Sequence, residues 1–368
     1  MAYGTINAEQ LTTQSGFTLG AGNASSFKNR IINPQMQFDQ RNAGAAVTAG
    51  SGYTLDRWNV DRLWTGSTVT IQQSTTAPSG FTNSLLATVS TGAAVAAGSY
   101  FSIQQFMEGY NTADFALGTA SAQQFTVSFW VRSSVTGTFG VGFRNSAFDL
   151  SYWTTYTVNA ANTWEQKSVT IAAPTSGTFG TGNSYGLNAI FSLGCGSTNK
   201  ATSNNSWNAG GKLGAVGETD LIATTGATFY ITGVQLEVGT VATSFDYRSY
   251  GTELALCQRY FAKTYDTATV PGTATSAGAI STNVNATWTY APSGTWCFPV
   301  AMRAQPTVVL YSTQNANTTG VSTADTTDGA ATTISLGLSA VTIRRNNNSG
   351  GVSSGADIKS QATASAEL

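Results

Sequence analysis

Histidine is absent from the 368 residues. Without it there is no Ser-His-Asp or Cys-His nucleophile pair, no imidazole-ligated zinc, and not the commonest general base near neutral pH. Charge is scarce too: 17 basic and 18 acidic residues leave a net charge of −1. No strong field exists to gather nucleic acid or anionic lipid, so neither is expected as a partner. The three cysteines, Cys195, Cys257 and Cys297, are odd in number and never spaced as CxxC, which argues against a disulfide framework or thiolate metal site. They read as reduced and structural. No window approaches the run of about 18 to 20 apolar residues that spans a bilayer, and the opening MAYGTINAEQLTTQ lacks the basic start and apolar run of a secretory signal. The expectation is a protein that is soluble, or part of a soluble assembly, with no membrane insertion.

What is present is Thr, Ser, Asn and Gly in quantity, a polar surface that suits strands and their turns. Phe125, Val127, Phe129 and Val131 alternate with Thr126, Ser128, Trp130 and Arg132, the period of two that buries one face of a sheet. The same alternation is read at Val284, Ala286, Trp288 and Tyr290, at Phe298, Val300 and Met302, and at Ile334, Leu336, Leu338 and Ala340. Turn-forming stretches such as TGTFG and GTGNSYG separate such runs. The expected class is all-β: a jelly-roll β-sandwich, then a short helix and a smaller C-terminal β-sandwich domain. Residues 1–28 form a small, polar arm with a short helix expected around Asn7 to Thr13. Residues 29–250 are expected to make the jelly roll, 251–263 the connecting helix and 264–368 the C-terminal β domain. In GTELALCQRYF, Leu254, Cys257 and Phe261, with Leu256 and Tyr260, have helical spacing, and Thr252 is the expected cap.

The segments KNRIINPQMQFDQRNAG, GYTLDRW, FTVSFWVRSSVTGTFG, NTWEQKSVTI, QLEVGTVATSFDYRSYGTELALCQRYF and FPVAMRAQPTV resemble, in order, a family of tailed-bacteriophage structural proteins labelled tail fibre or carbohydrate-binding-like virion proteins. The resemblance implies a galactose-binding-like jelly roll in the middle region and a virion appendage, often a homotrimer, that contacts host surface glycan. Residues 1–28 are then the part that docks on other virion proteins. The expected place is the virion and no enzyme activity is expected. An alternative is a capsid, neck or baseplate decoration protein with no external ligand; a third reading is a polysaccharide-degrading enzyme.

Candidate glycan contacts are aromatic: Trp130 on the outward side of its strand, the cluster Tyr152, Trp153 and Tyr156, and Trp207 within the long loop GCGSTNKATSNNSWNAGGKLGAVGE. Trp58 and Trp164 read as core. Asp56, Asp61, Glu108, Asp149 and Asp246 read as ion-pair partners before they read as glycosidase carboxylates. Phe245, Asp246, Arg248, Tyr250 and Glu253 read as a structural joint, with Arg248 satisfying exposed carbonyls or Glu253 as the chain leaves a strand and enters the helix. No metal or other cofactor is expected and no EF-hand spacing is present, but some jelly rolls of this kind hold a structural calcium with carboxylate and carbonyl oxygens, so that one ion stays open.

Overall fold

A computed structural model of the chain describes residues 10–12, 18–20, 27–63, 66–284, 290–324, 327–346 and 354–368. Two antiparallel sheets make the larger body, a jelly-roll sandwich. The seven-stranded sheet runs, in spatial order, through Ser206–Ala209, Leu150–Val158, Gly137–Asn145, Tyr185–Cys195, Tyr100–Glu108, Trp58–Leu63 and Gly52–Leu55. The six-stranded sheet runs through Glu165–Ile171, Phe125–Ser133, Thr228–Val238, Ser84–Thr91, Thr68–Ser74 and Val47–Thr48. Alternation decides which side faces in. Phe125, Val127, Phe129 and Val131 are fully buried against Val141, Phe143, Tyr156 and Phe191 of the other sheet. The Phe129 ring lies 4.9 Å from Tyr156 and 5.1 Å from Phe191, both edge-on, a contact that adds to the area term.

A smaller β region follows. Its spine is Asp357–Ser365, which pairs with Phe261–Lys263, Ile280–Asn283, Thr307–Tyr311 and Val321–Ala324. Val321–Ala324, Thr327–Leu336, Ala340–Asn346 and Tyr290–Cys297 continue the sheet away from it. Trp296, Phe298, Met302, Leu310, Val341 and Ile343 close its core over the small residues Ala362 and Ala364.

Several local expectations fail here. Phe298, Val300 and Met302 are not a strand: the chain leaves the sheet at Cys297, and the Phe298 and Met302 amides donate to the Ser339 and Leu338 carbonyls. The run from Ile334 to Ala340 is two strand ends and a turn, closed by Gly337 N donating to Ala340 O at 3.0 Å, which leaves Ile334 and Leu338 exposed. Val284 is buried, Tyr290 opens a strand, and Ala286 and Trp288 lie outside the described residues. Gln10–Thr12 is a strand paired with Thr18–Gly20 where a helix is expected; most of the remaining arm lies outside the described residues.

The helix spans Tyr250–Gln258, with Ser249 and not Thr252 at its cap position; their hydroxyls bond each other at 2.7 Å. It is shorter than 251–263 because Phe261–Lys263 pairs with Thr363, Ala364 and Ser365. Cys257 and Tyr260 pack on Ile32 and Phe38 of the larger body.

Charged groups hold the smaller region on the sandwich. Glu367 takes an ion pair from Arg57 and another from Arg41, the latter at 2.9 Å. Arg41 also reaches Asp56 at 3.1 Å. Glu108 accepts from Arg259 Nη2 at 2.7 Å and from the Tyr260 hydroxyl at 2.8 Å. The Arg57 guanidinium stacks 3.6 Å from the Tyr260 ring centre, and Lys263 donates to the Gln40 carbonyl at 2.8 Å. Burial pushes Asp56 up to about 6, against the pull of Arg41, and brings Lys263 down to about 8. Removing one member of such a cluster strands a buried charge, which costs about 3–5 kcal/mol. Arg57→Met should lower unfolding free energy in urea by about that amount. Adding Glu367→Gln should recover part of the loss; a single variant costing under about 1 kcal/mol would show that the cluster does not hold the two regions together.

Candidate functional site

Of the expected aromatic contacts, three are core. Tyr152, Trp153 and Tyr156 lie within the strand Leu150–Val158, not on a loop, and are 3%, 0% and 6% exposed. Tyr152 and Tyr156 point inward between the sheets. Trp153 points outward but is roofed: the excursion from 196 to 217 folds back over the seven-stranded sheet, and Ala201, Leu213 and Ala215 pack on the indole. The Trp153 indole N–H donates to Lys212 O at 3.1 Å. Gly142 makes this possible, since a Cβ there would meet the indole at 2.6 Å. Trp207 sits in the edge strand Ser206–Ala209 opposite Tyr152, half-buried, with its N–H donated to Ala172 O at 2.7 Å. It is an anchor of that excursion.

Trp130 is half-buried on the outer face of the six-stranded sheet, opposite Gln166 and Thr232. Phe81 lies beside it across Gly233, and Phe81, Phe245 and Tyr247 form one ring cluster with centroids 4.8–5.9 Å apart. Trp164, expected in the core, is half-buried outside it and packs on Tyr230, which carries Arg132 at 4.9 Å.

A different constellation appears on the outer face of the seven-stranded sheet. Register sets it out in rows: Asp61, Ser102 and Ser192; Asn59, Gln104 and Ile190; Phe106, Asn188 and Arg144. On a solvent-side face these should be hydrated, yet Ser102, Gln104, Asn188 and Arg144 are no more than 6% exposed. They form the floor of a basin whose more accessible rim is Asn59, Asp61, Tyr100, Tyr185 and Phe148. Gln104 Oε1 accepts from Asn188 at 2.6 Å and from Arg144 Nη2 at 3.2 Å, and Gln104 Nε2 donates to Asn59 at 3.3 Å. The Tyr100 hydroxyl donates to Asp61 at 3.2 Å, and Asp61 stands 3.9 Å from Arg144. Two atoms of the floor remain unspent, the Arg144 Nε–H and the Asn188 Oδ1.

Phe148 stacks on Tyr185 at 5.1 Å and faces the Arg144 guanidinium at 5.0 Å. It is 47% exposed and held at φ +58° by a turn in which Asn145 Oδ1 accepts from the Asp149 and Leu150 amides. A bulky side chain in that backbone region is strained, and such strain gathers at ligand clamps. Sequence reading missed most of this set. Its trace is a period-two polar pattern, Asn59 with Asp61 and Ser102 with Gln104, which in one strand reads as an ordinary wet face.

The corner from Phe245 to Glu253 is a clip. Arg248 donates to the carbonyls of Asn29 and Ile31, the latter at 3.2 Å, and pairs with Glu253 at 3.2 Å. Glu253 accepts from the Asn33 amide at 2.6 Å, and Asp246 from the Asn29 amide at 3.2 Å. Tyr250 remains exposed and packs its ring on Phe38 at 4.7 Å. Asp149 is bound by Asn145 Nδ2 at 2.7 Å. Among the described residues, no three Asp, Glu, His or Cys side chains gather as a metal site would need. All three cysteines are free; Cys195 and Cys257 are buried and Cys297 is exposed.

No protein-family model and no curated protein matches the chain. Among solved structures it is similar to the enzymatically active domain of tailspike protein 4 of bacteriophage CBA120, with 13% identity and a TM-score of 0.33 over 58% of this chain; the match spans only 22% of the tailspike chain. A family 11 carbohydrate-binding module of a Clostridium thermocellum cellulosomal cellulase is 11% identical, with a TM-score of 0.28, over 54% of this chain and 98% of the module. The CBM22-1 and GH10 modules of a Clostridium thermocellum xylanase, complexed with xylohexaose, give 12% identity and a TM-score of 0.26 over 50% of this chain and 26% of that one.

The excursion that roofs Trp153 is stapled by Glu218, which accepts from Ser192 Oγ at 2.8 Å and Ala215 N at 2.9 Å. Burial lifts its carboxyl to about 7, from 4.5. The native state therefore binds a proton that the unfolded state releases, and stability falls as pH rises from about 4.5 to 7. Asp56 acts in the same direction up to about 6, whereas Lys263, lowered to about 8, adds stability as pH rises beyond that value. The urea midpoint should be lower at pH 7.5 than at pH 5.5. Glu218→Gln should narrow that gap and gain about 1–2 kcal/mol at pH 7.5; an unchanged gap would remove Glu218 from the account.

Proposed function

We propose that this chain is a structural protein of a tailed bacteriophage virion, a tail fibre or spike component, and that its sandwich binds host surface glycan in the Arg144 basin. The observation that supports the glycan reading is the accessible rim, where the polar groups of Asn59 and Asp61 stand with Phe148, 47% exposed and held at φ +58°. A sugar hydroxyl accepts and donates at once, so it can take a proton from the Asn59 amide on the partly exposed rim and give its own to a rim acceptor. Asp61 and Asn59 offer further acceptors to neighbouring hydroxyls, and the strained Phe148 supplies a flat apolar face for the C–H side of a pyranose ring. Hydrogen bonds that involve a charged group are worth about 1.5–3 kcal/mol each, enough to make such a site weak but selective.

The virion role is supported by the sequence resemblance, whose segments run from Lys28 to Val308. A non-catalytic role is supported by the chemistry of the basin: Asp61 is tied to Tyr100 and stands near Arg144, with no second carboxylate opposite it among the residues named in the basin. Assembly as a homotrimer would multiply weak single-site affinities. The partly exposed strip of Trp130, Phe81 and Tyr247 has the aromatic composition of a subunit contact, and we assign it to contacts between protein chains. The same strip suits the alternative role, a decoration protein seated flush on the particle.

Two experiments test this reading. On a glycan array the purified oligomer should bind a restricted set of glycans, and Phe148→Ala and Asp61→Asn should each weaken binding at least tenfold with thermal midpoints unchanged. Wild-type binding by both variants would remove the basin. Deleting residues 1–26, which leaves Lys28 bonded to Thr243, should preserve the sandwich but abolish incorporation into virions. Normal incorporation would refute the arm's docking role.

A further inference from the structure

The accessible rim of the Arg144 basin, Asn59, Asp61, Tyr100, Tyr185 and Phe148, carries a single charge, the Asp61 carboxylate. The positive charge beside it is covered. The Arg144 side chain is 8% exposed against 27% for Asp61, Arg144 Nη2 donates to Gln104 Oε1 at 3.2 Å, and the Phe148 ring faces the guanidinium at 5.0 Å. Asp61 Oδ2 stands 3.9 Å from that Nη2, beyond hydrogen-bond reach. The two charges cancel in sum but not in position, and a ligand on the rim meets the negative one first.

The surroundings of Asp61 are also rich in acceptors. Burial and the Asp61 charge push the Tyr100 phenol up to about 12, so it keeps its proton, which it donates to Asp61 at 3.2 Å. The phenol oxygen is then left with lone pairs alone. Asn59, on the same face two residues before Asp61, has a carbonyl oxygen that takes Gln104 Nε2 at 3.3 Å and has a second lone pair. A sugar hydroxyl brings one proton to this set. A primary ammonium brings three, with no acceptor of its own and a charge opposite to that of Asp61, whereas an ionised acidic sugar brings a like charge.

Given the glycan reading of the basin, on which this rests, we propose that the sugar it takes is an amino sugar with a free amine, the ammonium held by Asp61 and the Tyr100 oxygen. The apolar side of the pyranose lies toward Phe148, and its hydroxyls meet Asn59. Asp61 thus sets which sugar is chosen, and Phe148 contributes to any sugar alike.

The test uses the full chain and ligand-detected NMR titrations with glucosamine, glucose, N-acetylglucosamine and glucuronate at about pH 6, where the amine is protonated. Glucosamine should bind about tenfold more tightly than glucose or N-acetylglucosamine, whose nitrogen is neutral, and glucuronate should bind most weakly. Asp61→Asn, which keeps the shape and removes the charge, should bring glucosamine down to the level of glucose with the thermal midpoint unchanged. Equal binding of glucosamine and glucose, tighter binding of glucuronate, or a preference that survives in Asp61→Asn would overturn the amino-sugar assignment and leave a glycan site standing. Failure of all four sugars to bind would remove the glycan reading itself, and the assignment with it.

Discussion

A single carboxylate shared by two guanidiniums, Glu367 between Arg41 and Arg57, fixes how the two β regions meet. Taking these ions out of water is costly, and the cost is offset only because every one is answered: Arg41 by Asp56 as well, Arg57 by the Phe106 carbonyl and the Tyr260 ring, Arg259 by Glu108. An apolar contact of equal area would tolerate sliding. A set of directional charge pairs has one good arrangement, so its contribution here is to orientation more than to stability.

That orientation matters because the same elements carry the basin. Glu108 ends the strand that supplies Ser102, Gln104 and Phe106 to the basin, so the junction and the basin floor share one rigid strand. On the opposite edge, Leu150–Val158 is stiffened from outside by the excursion that covers Trp153. The floor is therefore held between two packed regions. Its side chains are already ordered, so a group docking there would cost little conformational entropy.

Much of the fold was legible along the chain. The period-two alternation at Phe125 to Val131 identifies an inward face because these four side chains are fully buried while Trp130 and Arg132 on the other side stay partly exposed. Where a run is short and its turn lacks a strong signal, the pattern misleads: Ile334 to Ala340 alternates as one strand would, yet it crosses a turn. Aromatic side chains misled for another reason. Tyr152, Trp153 and Tyr156 are large and amphipathic, and nothing in their spacing says that a roof sixty residues downstream will cover Trp153. The basin was least legible. Arg144, Asn188, Gln104 and Asp61 come from four strands, and only cross-strand register brings them into adjacent rows. The corner at Arg248 was easier, since its acid, base and helix start lie within one short segment.

The clip at Asn29 also determines how tension travels. Arg30 N donates to Leu236 O, Asn29 Nδ2 to Val234 O and Leu236 N to Asn29 Oδ1, while Arg248 grips the Asn29 and Ile31 carbonyls. A pull on the chain ahead of Lys28 thus enters Thr228–Val238, an interior strand of its sheet, through several bonds loaded together. Unlike a zipper that opens tooth by tooth, this attachment must shear as a block.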